Sequence, residues 1–91
     1  MTYNFSKPYE FEGKTYDELT LDLESLKGSD IATIYRQWSQ AGNFAAIWKL
    51  DPDFCARIAA KVSKLPHEFF RDLPATDYCN ITQEVSNFLM S

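Results

Sequence analysis

Tyr9-Glu10-Phe11-Glu12-Gly13-Lys14-Thr15-Tyr16-Asp17-Glu18-Leu19-Thr20-Leu21-Asp22-Leu23 is the stretch that sets the architecture. Its apolar residues recur every second position, first as Tyr9 and Phe11, then as Leu19, Leu21 and Leu23 with Thr20 and Asp22 between them. Glu12-Gly13 stands where a tight reversal is needed. Alternation on both sides of a glycine-containing turn predicts a β-hairpin with one buried face. An isolated hairpin is marginal in water, so the rest of the chain is expected to cover it.

Beyond Lys27-Gly28 the period becomes helical. Ser29 or Asp30 can cap a segment in which Ile31, Ile34, Tyr35 and Trp38 recur at i, i+3, i+4 and i+7. Gly42-Asn43 offers a stop, while Ala41, Ala45 and Trp48 continue the same phase, so the pattern fits one helix or two across Gly42. A break at Gly42 is preferred. Asp51-Pro52-Asp53 then restarts a helix, with Asp as N-cap, Pro at the first helical position and a second acid facing the helix dipole. This helix is expected to run to about Lys64, burying Phe54, Ile58, Ala59, Val62 and Leu65 and wetting Arg57, Lys61 and Lys64. Leu65-Pro66 ends it. A short turn over 66–72 carries Phe69 and Phe70, and Pro74 opens a last helix as its N1 residue. That helix has Tyr78, Ile81, Val85, Phe88 and Leu89 on one side and Thr82, Glu84, Ser86 and Asn87 on the other. The expected fold class is α+β: an N-terminal β-hairpin region (1–28) followed by a small bundle of three to five helices (29–91), in a single domain over 1–91.

The length of 91 residues leaves room for one domain, and seven Phe, five Tyr and two Trp supply a core despite that size. The net charge of −4 is unevenly placed, for residues 1–30 hold three lysines against seven acids while the remainder balances. An acidic chain without a basic block is a poor polyanion ligand, so nucleic acid is not an expected partner. No apolar run approaches the roughly 18 residues of a membrane span, and the first ten residues lack a secretory apolar core, so no membrane partner and a cytoplasmic location are expected. Cys55 and Cys79 lie in separate segments without metal-ligand spacing, and both are expected to be reduced and mostly buried.

Chemistry-bearing motifs are sparse. His67-Glu68-Phe69-Phe70-Arg71 begins like a zinc-protease helix but has Arg71 where a second histidine must stand, and His67 is the only histidine. Asp51/Asp53 and Asp72/Asp77 sit beside prolines at helix starts, where capping explains them. The three glycines are isolated, so no phosphate-cradling loop exists. No catalytic, metal or cofactor site is therefore expected, and the chain reads as a non-enzyme. The aromatic set Tyr35, Trp38, Phe44 and Trp48 is the candidate partner-binding feature. It either covers the hairpin or meets another chain, whether a copy of itself or an amphipathic partner.

Three segments resemble, in order, the phage tail assembly chaperones of Mu-like and P2-like contractile-tailed phages. Tyr9 to Leu21 is similar to that family's opening hairpin, with Gly13-Lys14-Thr15 followed by Glu18-Leu19-Thr20-Leu21. Ile58-Ala59-Ala60-Lys61-Val62-Ser63-Lys64-Leu65-Pro66 resembles its helix running into a Leu-Pro break. Leu73, Asp77 and Val85-Ser86-Asn87-Phe88-Leu89 resemble its closing helix. Residues 35–53 have no counterpart in that pattern. The resemblance implies a protein of the infected or lysogenic bacterial cytoplasm that binds the tape measure protein, assists tail tube assembly and is absent from the finished virion. An alternative from another class is a small phage or prophage regulator or anti-host protein that masks a protein partner.

Overall fold

A computed structural model describes residues 1–91. Strands β1 (Thr2–Phe11) and β2 (Lys14–Thr20) form an antiparallel hairpin, and four helices follow: α1 (Gly28–Gln40), α2 (Pro52–Ser63), α3 (His67–Arg71) and α4 (Ala75–Met90). Single 3-10 turns at Leu23–Ser25 and Trp48–Leu50 punctuate the connections. The fold class is α+β, with a hairpin and a small helical bundle, as the periodicity predicts.

The hairpin turns on two residues, Glu12 (φ 51°) and Gly13 (φ 79°), both left-handed, as a primed two-residue turn requires. β1 begins at Thr2, seven residues before the alternation that signals it at Tyr9. Its register with β2 changes midway, because Asn4 pairs with Glu18 whereas Tyr9 pairs with Tyr16. Four residues, Phe5 to Pro8, therefore stand opposite Asp17 alone. This bulge is the least regular part of the sheet, and it is where the hairpin is fastened to the helices. Asp77 of α4, with no exposed surface, accepts hydrogen bonds from the Tyr3 hydroxyl (2.6 Å), the Ser6 backbone N–H (3.1 Å) and the Ser6 hydroxyl (3.1 Å). Asp77 is thus not a helix cap, which corrects the expectation drawn from its nearness to Pro74. Pro74 is the N-cap residue of α4 rather than N1.

The break at Gly42 is real. Gly42 adopts φ 93°, its N–H reaches Ser39 O (3.0 Å) and the Asn43 N–H reaches Trp38 O (3.4 Å), the pair of bonds that closes a helix around a left-handed residue. The Asn43 side-chain amide donates to the same Trp38 carbonyl (3.0 Å). α2 starts as expected, with the Asp51 carboxylate accepting from the Phe54 N–H (3.0 Å) and Pro52 at N1. It is the central element. Phe54, Cys55, Ala56, Ile58 and Ala59 are all buried, a broader face than a single stripe, because α1 and α4 both pack on it.

Fifteen buried apolar side chains form one cluster in which two rings act as hubs. Phe69 lies 5.1 Å from Tyr9, 5.2 Å from Phe11, 4.9 Å from Tyr16 and 5.0 Å from Phe70, centroid to centroid and edge to face. Phe54 holds Trp38 at 5.5 Å and Trp48 at 5.1 Å in the same manner. The hairpin is therefore covered by α3 and α4, not by the aromatic residues of α1. On α4, Thr82 and Ser86 are buried rather than solvated. The Thr82 hydroxyl donates to the Tyr78 carbonyl (2.8 Å), which lets it enter the core at little cost.

Candidate functional site

The four aromatic residues expected to form a partner surface are divided between core and surface. Trp38 is 1% exposed and belongs to the core, where its ring packs on Phe54. This corrects the reading of Trp38 as a surface anchor. Tyr35, half-buried, sits between Trp38 (5.8 Å) and Trp48 (5.6 Å). Trp48 is half-buried as well, with the Lys49 ammonium 5.5 Å over its ring. Phe44, by contrast, is 84% exposed.

Tyr35 and Trp48 line an open groove of about 750 Å³ that runs along the outer side of α1. Its other contributors are Ile31, the small residues Gly28, Ala32 and Ser39, and the polar residues Arg36 and Gln40. The local reason for the groove is the spacing on α1. Ile34 and Trp38 turn inward onto α2, so the next row, Gly28, Ala32 and Arg36, falls on the far side with almost no bulk at its first two positions. The loop after α1 forms one wall through Trp48, and the same loop exposes Phe44, Ile47 (57%) and Leu50 (51%). Three large apolar residues exposed within seven positions of one loop are a candidate contact surface. Sequence reasoning missed Ile47 and Leu50. Their signal was the stretch Phe44 to Leu50, apolar but for Lys49, which follows no clean period.

The ionisable side chains nearest one another gather around Asp53. His67 Nε2 stands 3.4 Å from Asp53 Oδ1, whose other oxygen accepts from Arg57 Nε (3.1 Å). Burial, reinforced by Arg57 and Arg71, lowers the His67 pKa against the opposing pull of Asp53, so the imidazole is neutral at pH 7. Cys55 is fully buried, donates to the Lys49 carbonyl (3.4 Å), and burial pushes its thiol up to about 11. Cys79 is exposed, which corrects the expectation that both thiols are buried. One thiol of the native protein is therefore expected to react promptly with a disulfide reagent and the second only in denaturant. Two fast thiols in the native state would contradict the placement of Cys55.

No helix is long and apolar enough to cross a membrane. No curated protein and no solved structure matches the chain. One family model does, described as "Phage tail assembly chaperone proteins, E, or 41 or 14", and it matches residues 2–90, running through the 35–53 segment that the sequence pattern left without a counterpart. With a hairpin and helices in the expected order and a match over nearly its whole length, the chain belongs to the phage tail assembly chaperone family.

Proposed function

We propose that this chaperone binds the tape measure protein in the bacterial host cytoplasm, shields its apolar segments until the tail tube assembles, and does so without catalysing any reaction. The observation that carries this reading is the apolar groove of α1, together with Phe44, Ile47 and Leu50 exposed on the loop that supplies its Trp48 wall. A long helical client with an apolar stripe needs such a surface, and the acids Glu10, Glu12, Asp17 and Glu18, all exposed on the hairpin, keep the loaded chaperone from associating indiscriminately. Tyr35, Trp48 and Phe44 are the contact residues, and Trp38 supports Tyr35 from beneath.

Co-expression and affinity capture of the tape measure protein test this reading. Phe44→Ser combined with Trp48→Ser is expected to reduce capture at least tenfold, as loss of an aromatic anchor does at an interface centre. The circular dichroism of the variant should remain that of the parent. Undiminished capture by the folded variant removes these residues from the interface, and no capture by the parent removes the tape measure protein as client.

A further inference from the structure

The composition of the α1 groove specifies its occupant more closely. Gly28 and Ala32 lie one turn apart on the same row of α1, and a Cβ added at Gly28 meets no atom within 4 Å. These two small positions at the start of the 13-residue helix, about 20 Å long, with Ser39 near its far end, allow the close approach at which the ridge of a second helix settles into the first. Neither strand of the hairpin contributes to the groove, so no free sheet edge is available there to pair with an extended segment.

Charge narrows the choice again. Arg36 is the single charged residue of the groove, it is exposed, and it takes part in neither of the ion pairs within the chain. No carboxylate lines the groove. A second copy placing the same face here about a two-fold axis would add another Arg36 and no acid to answer it. We propose that the groove receives an amphipathic α-helix of a partner protein, packed along α1, with a carboxylate flanking its apolar stripe that pairs with Arg36. This deepens the chaperone reading by giving the chemistry of the client segment, and it is tested without the tape measure protein.

Two synthetic 18-residue amphipathic helices serve as probes, identical in a Leu/Ala stripe and differing only in Glu or Lys at the positions flanking it. Binding to the full chain is measured at 150 mM salt by anisotropy of the labelled peptide. The parent is expected to bind the Glu peptide about fivefold more tightly than the Lys peptide, and Arg36→Glu to reverse that preference. The chain's net charge of −4 repels the Glu peptide and attracts the Lys peptide, so a Glu preference in the parent runs against that background and is assigned to Arg36. Ala32→Gln, on an exposed helix position, is expected to weaken both peptides equally by filling the small-residue row. Trp48 fluorescence supplies the location, because Trp38 is already buried. The blue shift on binding is expected to vanish in Trp48→Phe. A Glu/Lys ratio unchanged by Arg36→Glu, full affinity in Ala32→Gln, or a shift surviving Trp48→Phe each overturns the proposal. So does light scattering that shows a dimer dispersed by Ala32→Gln, which would assign the groove to a second copy. Failure to capture the tape measure protein while the peptides behave as expected would overturn the client's identity alone.

Discussion

Phe69→Ala is expected to remove about 3–5 kcal/mol of stability, the usual cost of deleting a fully buried ring from a packed core. Phe69 has no exposed surface, and four hairpin rings, Phe5, Tyr9, Phe11 and Tyr16, converge on it within 6.3 Å. A two-stranded hairpin is not stable by itself, so its order depends on its anchors to the helices, of which this ring from a five-residue helix gathers the most hairpin side chains. Domains of this size hold about 5–15 kcal/mol in total, and the midpoint of thermal unfolding is expected to fall by roughly 15–30 °C. Phe44→Ala supplies the contrast: the ring is equally large but exposed, and its loss should shift stability by less than about 0.5 kcal/mol. Guanidinium unfolding followed by tryptophan fluorescence measures both, since Trp38 and Trp48 sit around the other hub, Phe54. Native-state hydrogen exchange adds the location. In Phe69→Ala the amides of β1 and β2 should lose protection before those of α2. A cost below about 1 kcal/mol would mean that the hairpin is held by something other than its rings.

The difference between those two phenylalanines also marks where the sequence is readable. Local rules are written locally: Gly13 in a two-residue turn, Gly42 as a helix terminator and Asp51-Pro52 as a helix start each satisfy a backbone requirement within a few residues, and each is where the pattern puts it. Long-range packing is not. Tyr35 and Trp38 share a helical stripe, yet only Trp38 meets Phe54 squarely enough to be lost from the surface, and the sequence holds no trace of which ring α2 selects. β1 before Tyr9 escapes notice because Ser6-Lys7-Pro8 interrupts the alternation that Tyr3, Phe5, Tyr9 and Phe11 would otherwise show. Thr82 and Ser86 look like a polar face at i and i+4, yet both are buried; a carbonyl one turn back takes the Thr82 hydroxyl, while the Ser86 hydroxyl is buried without a partner. For the candidate site, the family was legible from the order of motifs. The groove was not, since it is defined by the small residues Gly28, Ala32 and Ser39, which carry no chemical signature of their own.

Asp77 gives the second large expectation, and one with a pH dependence. Its carboxylate is the sole partner of the Ser6 N–H and Ser6 hydroxyl and the acceptor for Tyr3, across more than seventy residues of chain. Asp77→Ala removes the shared acceptor of these donors and is expected to cost about 1–3 kcal/mol, since Ser6 is exposed and Tyr3 half-buried and water meets part of their demand, while Asp77→Asn keeps the shape and one acceptor and should cost about half as much. Burial pushes the Asp77 pKa upward, but the three hydrogen bonds outweigh it, and the net shift is below the ordinary value of 3.8. A carboxyl group depressed in the folded state contributes stability that is fully present above its unfolded value and is lost as pH falls through the folded one. Tyr3 bears on the opposite end. Burial and the hydrogen bond to Asp77 raise its pKa above the ordinary 10.0, so its share is present below that value and lost as pH rises through the folded one, when a phenolate would face the carboxylate. The parent is therefore expected to be more stable than Asp77→Asn by an amount that is constant from about pH 5 to 9 and that shrinks as pH falls through and below the ordinary carboxylate value of 3.8. Midpoints of guanidinium unfolding for the two proteins at pH 3, 5 and 7 decide it. A gap that persists undiminished at pH 3 would mean that the bulge is fastened by the shape of residue 77 and not by its charge.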